Sequence, residues 1–201
     1  MPRRWLRLAV LLTAVFGAAV GLMRARPYDD PVLRAFLTPP EGCAAPCFLG
    51  VQPGITSLDE AVTILEANRW IADVEPSARF YDLHWSGAQP DFIDADSLNY
   101  FMGDSSVVGQ IRLRTRLRLG DVYSLLGAPD AGYWLMSGSG SGVFHARIYS
   151  QLGVEVSGYI PCPNRRRDLW FMPVEVRVHK PSAQLMENLD FQLTKQLRGI
   201  C

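Results

Sequence analysis

The chain is poor in the residues that usually carry chemistry: 201 residues hold three histidines and four cysteines, and 20 basic side chains balance 20 acidic ones. The histidines, His84, His145 and His179, fall in three separate predicted strands, so no base is seated by sequence beside a nucleophile. No C-x-x-C, G-x-G-x-x-G or G-x-S-x-G occurs. The run Ser137-Gly-Ser-Gly-Ser-Gly142 fails the last pattern because the position two after Gly138, where the serine is needed, is Gly140, and because the run lies between two strands and not before a helix; it reads as a hairpin tip. Asp91, Asp94 and Asp96 do not meet the EF-hand pattern, since Leu98 and Asn99 occupy its third ligand and turn-glycine positions; they read as a solvated loop or a weak cation site. With 48% hydrophobic residues, 14 prolines and 17 glycines, and no uncharged apolar run beyond Leu8 to Met23, disordered, collagenous and multi-span membrane chains are excluded. No cofactor, metal site or catalytic residue is expected.

What is present speaks first of address. Arg3, Arg4 and Arg7 precede the sixteen-residue run Leu8 to Met23. That run is long for a signal-peptide core of about 7–15 residues and short for the ~20 that span a bilayer. Residues 1–26 therefore read as a signal anchor, a single transmembrane segment; the alternatives are a cleaved signal, which leaves a secreted domain, and a buried core helix. No cysteine near the end of the run can take a lipid. Both export readings suit Cys43, Cys47, Cys162 and Cys201, an even number in an oxidising compartment. A turn on Pro46 favours Cys43–Cys47 and leaves Cys162–Cys201, with a redox or metal pair at Cys43/Cys47 as the alternatives.

Pro27 to Pro46 carries five prolines and little periodicity, so residues 27–46 read as an extended linker. An extracytoplasmic domain is expected over 47–201. Ser57 and Glu60 stand at capping-box spacing before an apolar face of Leu58, Ala61, Val62 and Leu65. Strands are predicted at Trp70–Val74, Arg79–Trp85, Leu98–Met102 and Val107–Arg116. The order recurs 61 residues on: a second helix from Leu119, stopped at Gly127-Ala-Pro129, then strands at Gly132–Met136, Val143–Ser150, Val154–Ile160 and Val174–His179. The expected fold is α+β, two tandem helix-plus-antiparallel-strand repeats, about 51–116 and 117–180, followed by a C-terminal helix about 182–198.

Val51-Gln-Pro-Gly-Ile-Thr and Asp121-Val-Tyr-Ser-Leu-Leu-Gly-Ala-Pro-Asp resemble the SmpA/OmlA lipoproteins of the outer-membrane β-barrel assembly machinery, and are similar to the tandem repeats of secreted β-lactamase-inhibitory proteins. The resemblance implies helices on one face of an antiparallel sheet, an extracytoplasmic address, and binding of other proteins through the opposite face. It implies no catalytic residues. The chain departs from the pattern in lacking a lipobox cysteine and in splitting the motif between its two halves, so fold is carried over and partner is not.

Two groups are candidates for binding. Arg112, Arg114, Arg116 and Arg118 alternate with Leu113, Thr115 and Leu117, which on a strand sets four guanidinium groups on one side. They read either as a solvated face paired with carboxylates of neighbouring strands or as a cationic stripe, joined by Arg165, Arg166 and Arg167, that meets an anionic envelope component or an acidic partner. Trp85 and Trp134 adjoin loops and read as core or as a partner patch. Nucleic acid is not expected: five basic and no acidic residues precede Pro27, leaving 15 basic against 20 acidic in the exported part. The function read from the sequence is a non-catalytic, membrane-anchored extracytoplasmic binding or assembly module whose partner is another envelope protein or an anionic envelope component. An exported thiol oxidoreductase using Cys43/Cys47 and a structural ectodomain of a membrane complex are the alternatives.

Overall fold

The computed structural model describes residue 5 and residues 10–18, 30–104 and 106–179. The expected helix about 182–198, Cys201 and most of the segment 1–26 lie outside the described residues. Residues 10–18 form a helical stretch (α1) whose Val10, Leu11, Leu12, Val15 and Phe16 are all exposed. Among the described residues no helix is long and apolar enough to cross a membrane.

The linker expectation is corrected at once. Pro31–Leu37 is a helix (α2), with the Asp30 carboxylate accepting from the backbone N–H groups of Val32 and Leu33 at 3.0 Å each, and with Pro31 in the first turn, where its missing N–H costs nothing. Leu33, Phe36 and Leu37 fall on one face and are buried. Phe36 meets the rings of Phe48 and Phe92 edge-on, at 5.6 and 5.0 Å. The next helix, α3 (Leu58–Glu66), starts where its cap predicts: the Ser57 hydroxyl accepts from the Glu60 N–H at 3.3 Å, and Ala61 and Leu65 are buried.

Strands β1 (Ile71–Pro76), β2 (Tyr81–Trp85), β3 (Tyr100–Asp104) and β4 (Val107–Arg118) follow, then α4 (Leu119–Leu126), β5 (Ala131–Met136), β6 (Gly142–Tyr149), β7 (Val154–Pro161), the short α5 (Arg166–Trp170) and β8 (Pro173–His179). Alternation in the sequence places all eight strands to within two residues of these ends. Their assembly is different from the expectation. The eight strands make one antiparallel sheet in the order β1-β2-β3-β4-β8-β7-β6-β5. The α+β reading of tandem helix-plus-strand repeats is overturned: this is a sheet-dominated fold with a few short helices, α2 to α5 having seven, nine, eight and five residues.

The cause is the seam. β4 pairs with β8 from Gln110↔His179 to Arg114↔Glu175, which sets Ile111 and Leu113 beside Val178 and Val176 on one continuous inward face. Two separate repeats would leave two long strand edges bare. Past Arg114 the pairing slips, because Thr115 bridges Ile93 and the Arg116 N–H donates to the Phe92 carbonyl at 2.7 Å. Fully buried Asn99 pins that loop: its amide donates to the Asp94 and Ser97 carbonyls and accepts from the Arg114 N–H, all within 2.9 Å.

Candidate protein-docking face

Strand parity sorts every sheet side chain to one of two faces. Phe101, Ile111, Leu113, Val176, Val156 and Val154 point inward, and buried residues of the helices, among them Leu33, Leu65 and Val122, join them in one core. On the outward face Leu135 and Tyr159 are exposed, while Ala131, Ala146, Ile148, Glu155, Ser157 and Glu175 are buried. The register lays that face out in cross-strand rows. One row runs Tyr100, Arg112, Arg177, Glu155, Ile148 and Ala131; the next runs Arg114, Glu175, Ser157, Ala146 and Tyr133; a third holds Tyr159, Phe144 and Leu135.

The first two rows form a charged belt across the sheet. Arg112 donates to the Tyr100 hydroxyl at 2.9 Å and meets Glu175 at 2.6 Å. Arg114 reaches the second Glu175 oxygen at 3.1 Å, and Arg177 joins Glu175 at 2.8 Å and Glu155 at 3.3 Å. His179 stands 3.4 Å from Glu155, and the Tyr133 hydroxyl, crossing over the small Ala146, donates to Glu155 at 3.1 Å. Glu155 and Glu175 are almost fully buried, so each carboxylate survives there only because several donors hold it. Burial pushes the Glu155 carboxyl up, but the His179 hydrogen bond and the Arg177 charge outweigh it and hold the group below the ordinary carboxylate range. The Tyr133 phenol is pushed up to about 12, by burial first and by the Glu155 charge second.

The arginine stripe therefore lies on one face, with the side chains of the same strand at Leu113, Thr115 and Leu117 buried on the other, but it is not a row of open charges. Arg112 and Arg114 clasp Glu175, Arg116 pairs with Asp94 at 3.2 Å and Asp96 at 3.6 Å, and Arg118 lies 5.4 Å from the Phe171 ring. Charges on neighbouring segments neutralise most of it. Arg167, on α5, pairs with its neighbour Asp168 at 3.6 Å. Of the two readings of the tryptophans, the partner patch is not the one the register favours. Trp85 faces inward and packs on the core, and Trp134 sits across from His145 on the inward side of β5, so neither joins the arginines.

Residues the sequence did not single out complete the face. Leu135, Phe144 and Tyr159 stand side by side on three strands, and Leu135 and Tyr159 are 58% and 44% exposed. Tyr159 leans over Gly142, where any side chain would collide with its ring. Its hydroxyl ends a chain of hydroxyls through Ser141 at 2.9 Å, Ser139 at 2.7 Å and Ser137 at 3.0 Å. The Ser-Gly hairpin tip is thus fastened to the sheet it projects from. Between this apolar row and the belt lies a cleft of about 250 Å³ lined by Arg112, Arg114, Phe144, Ser157, Tyr159 and Glu175, among others. Period-2 alternation was the signal for all of these positions; only the register shows that they meet.

Cys43 and Cys47 are disulfide-bonded, with Cα atoms 6.1 Å apart, and Cys47 is buried beside Phe48. Cys162 is disulfide-bonded too, while Cys201, the partner expected for it, lies outside the described residues. Asp94 accepts from Ser97 at 2.6 Å and from Arg116, which lowers its pKa, with the Ser97 bond the larger cause. Among the described residues no group of three or more His, Cys, Asp or Glu is placed to hold a metal ion. No family model matches the chain, and neither a curated protein nor a solved structure matches it.

Proposed function

We propose that the chain is a non-catalytic extracytoplasmic binding module, held at a membrane by its N-terminal apolar segment, that receives another envelope protein on the outward face of its sheet. The observation that carries this reading is the apolar row of exposed Leu135 and Tyr159 with half-buried Phe144 between them, beside the charged belt: an apolar centre with a polar rim is the usual anatomy of a protein interface. The exposed apolar side chains of α1 support the membrane attachment, and the Cys43–Cys47 bond suits an oxidising compartment. Kinship with the assembly lipoproteins and the inhibitory proteins belongs to the same proposal.

Substitution of the row tests it. Leu135→Asp with Tyr159→Ala removes the apolar anchor, and the amount of partner co-purified from native membranes falls at least about tenfold, about 1.4 kcal/mol, with melting temperature little changed. Ile55→Asp, at a 71% exposed position outside the sheet, leaves it unchanged. Equal recovery with both variants overturns the reading.

A further inference from the structure

The cleft between the apolar row and the belt holds a buried hydroxyl with nothing to bond. Ser157 is fully buried, its Oγ has no hydrogen-bond partner, and it lines the cleft together with Arg114, Phe144 and Tyr159. A buried hydroxyl is normally satisfied, so an orphan of this kind marks a place made for a polar group from outside. We infer that the cleft receives a glutamate or aspartate side chain of the docked protein, its carboxylate accepting from Ser157 Oγ and Arg114.

The charges select the ligand. Among the described residues of the belt the guanidinium groups of Arg112, Arg114 and Arg177 face two carboxylates, Glu155 and Glu175, so one further negative charge balances these groups. Both Glu175 oxygens are drawn to guanidinium groups: one meets Arg112 and Arg177, the other meets Arg114. Ser157 is the direct cross-strand neighbour of Glu175, and Glu175 of Arg114, so donors flank that carboxylate on both sides. Arg114 is half exposed and engages Glu175 through Nη1, which leaves further N–H groups for an incoming carboxylate. Phe144, Tyr159 and Pro173 line the same cleft and suit the methylene groups of an acidic side chain. A second copy of this chain and a phosphate headgroup are the competing occupants.

This inference rests on the docking face proposed above, and its test separates the two. The full chain in detergent micelles, isotopically labelled, is titrated with N-acetylglutamate N-methylamide, with the glutamine counterpart and with inorganic phosphate. Saturable shifts at Ser157, Tyr159 and Arg114 are expected with the glutamate probe alone. Binding weakens at least about fivefold in Ser157→Ala and in Arg114→Gln; the latter, at an exposed position, reports even where the former perturbs folding. Equal shifts with glutamine, tighter binding of phosphate, shifts confined to other residues, or concentration-dependent shifts at these residues without any probe overturn the carboxylate assignment. Partner recovery that still depends on Leu135 and Tyr159 while the titration fails leaves the docking face standing and removes only this cleft.

Discussion

Glu175 is within ion-pair distance of three guanidinium groups on two strands, and the worth of that arrangement follows from its burial. Removing one partner from a buried ion pair leaves the others uncompensated, at about 3–5 kcal/mol, whereas exposed pairs contribute about 0–1 kcal/mol. Glu175→Ala is therefore expected to lower stability by about 3 kcal/mol or more, and Arg116→Ala by less than about 1, as read by urea denaturation; equal losses contradict the structure given for the belt. His145 makes the second prediction at this scale. It is buried with both ring nitrogens unpartnered, and burial, then the nearby Arg147 charge, push its pKa down to about 4. The unfolded chain takes up that proton at about 6.5. Stability from this group is thus complete above about pH 6.5 and is lost as pH falls toward 4, by up to about 3 kcal/mol. Glu155, whose pKa is lowered, adds a further loss only below the ordinary carboxylate value of about 4.3. His145→Leu should flatten the melting-temperature profile between pH 6.5 and 4 while leaving the steeper acid limb; an unchanged profile contradicts the buried neutral imidazole.

Elements differ in how plainly the chain announces them. Eight strands and α3 were legible because alternation and a serine cap are local signals, contained in a dozen residues. The outward direction of the four arginines was legible for the same reason. Their pairing was not, since Glu175 lies some sixty residues beyond Arg112 and only the β4–β8 register brings it there. For Trp85 and Trp134 core and partner patch stayed open in the sequence, because proximity to a loop says nothing about which face a strand residue takes. Helix α2 was hidden by its prolines: a seven-residue helix is too short for a periodic face to stand out, and Pro31 reads as a breaker unless Asp30 is recognised as its cap. Leu33 is fully buried, so Leu33→Ala should cost about 2–5 kcal/mol in chemical denaturation. A linker residue would show almost none.

At the scale of the whole molecule, the join at β4 and β8 governs both stability and function. Because the inward faces of the two strand groups share one core across that seam, thermal unfolding should be a single transition with equal calorimetric and van't Hoff enthalpies; two separated transitions would restore independent repeats. The same join builds the outward face, since the charged belt begins on β3 and ends on β5, and the apolar row lies at its side. The central claim is that this face, and not the helix-covered one, receives a protein partner. Its most direct test is photo-crosslinking in native membranes from single probes set at Leu135 and Phe144 on the outward face and at Val32 and Ile55 outside the sheet. The account predicts one discrete adduct from the first pair, suppressed by Tyr159→Ala, and none from the second. Adducts from Val32 and Ile55 in place of Leu135 and Phe144 would contradict it.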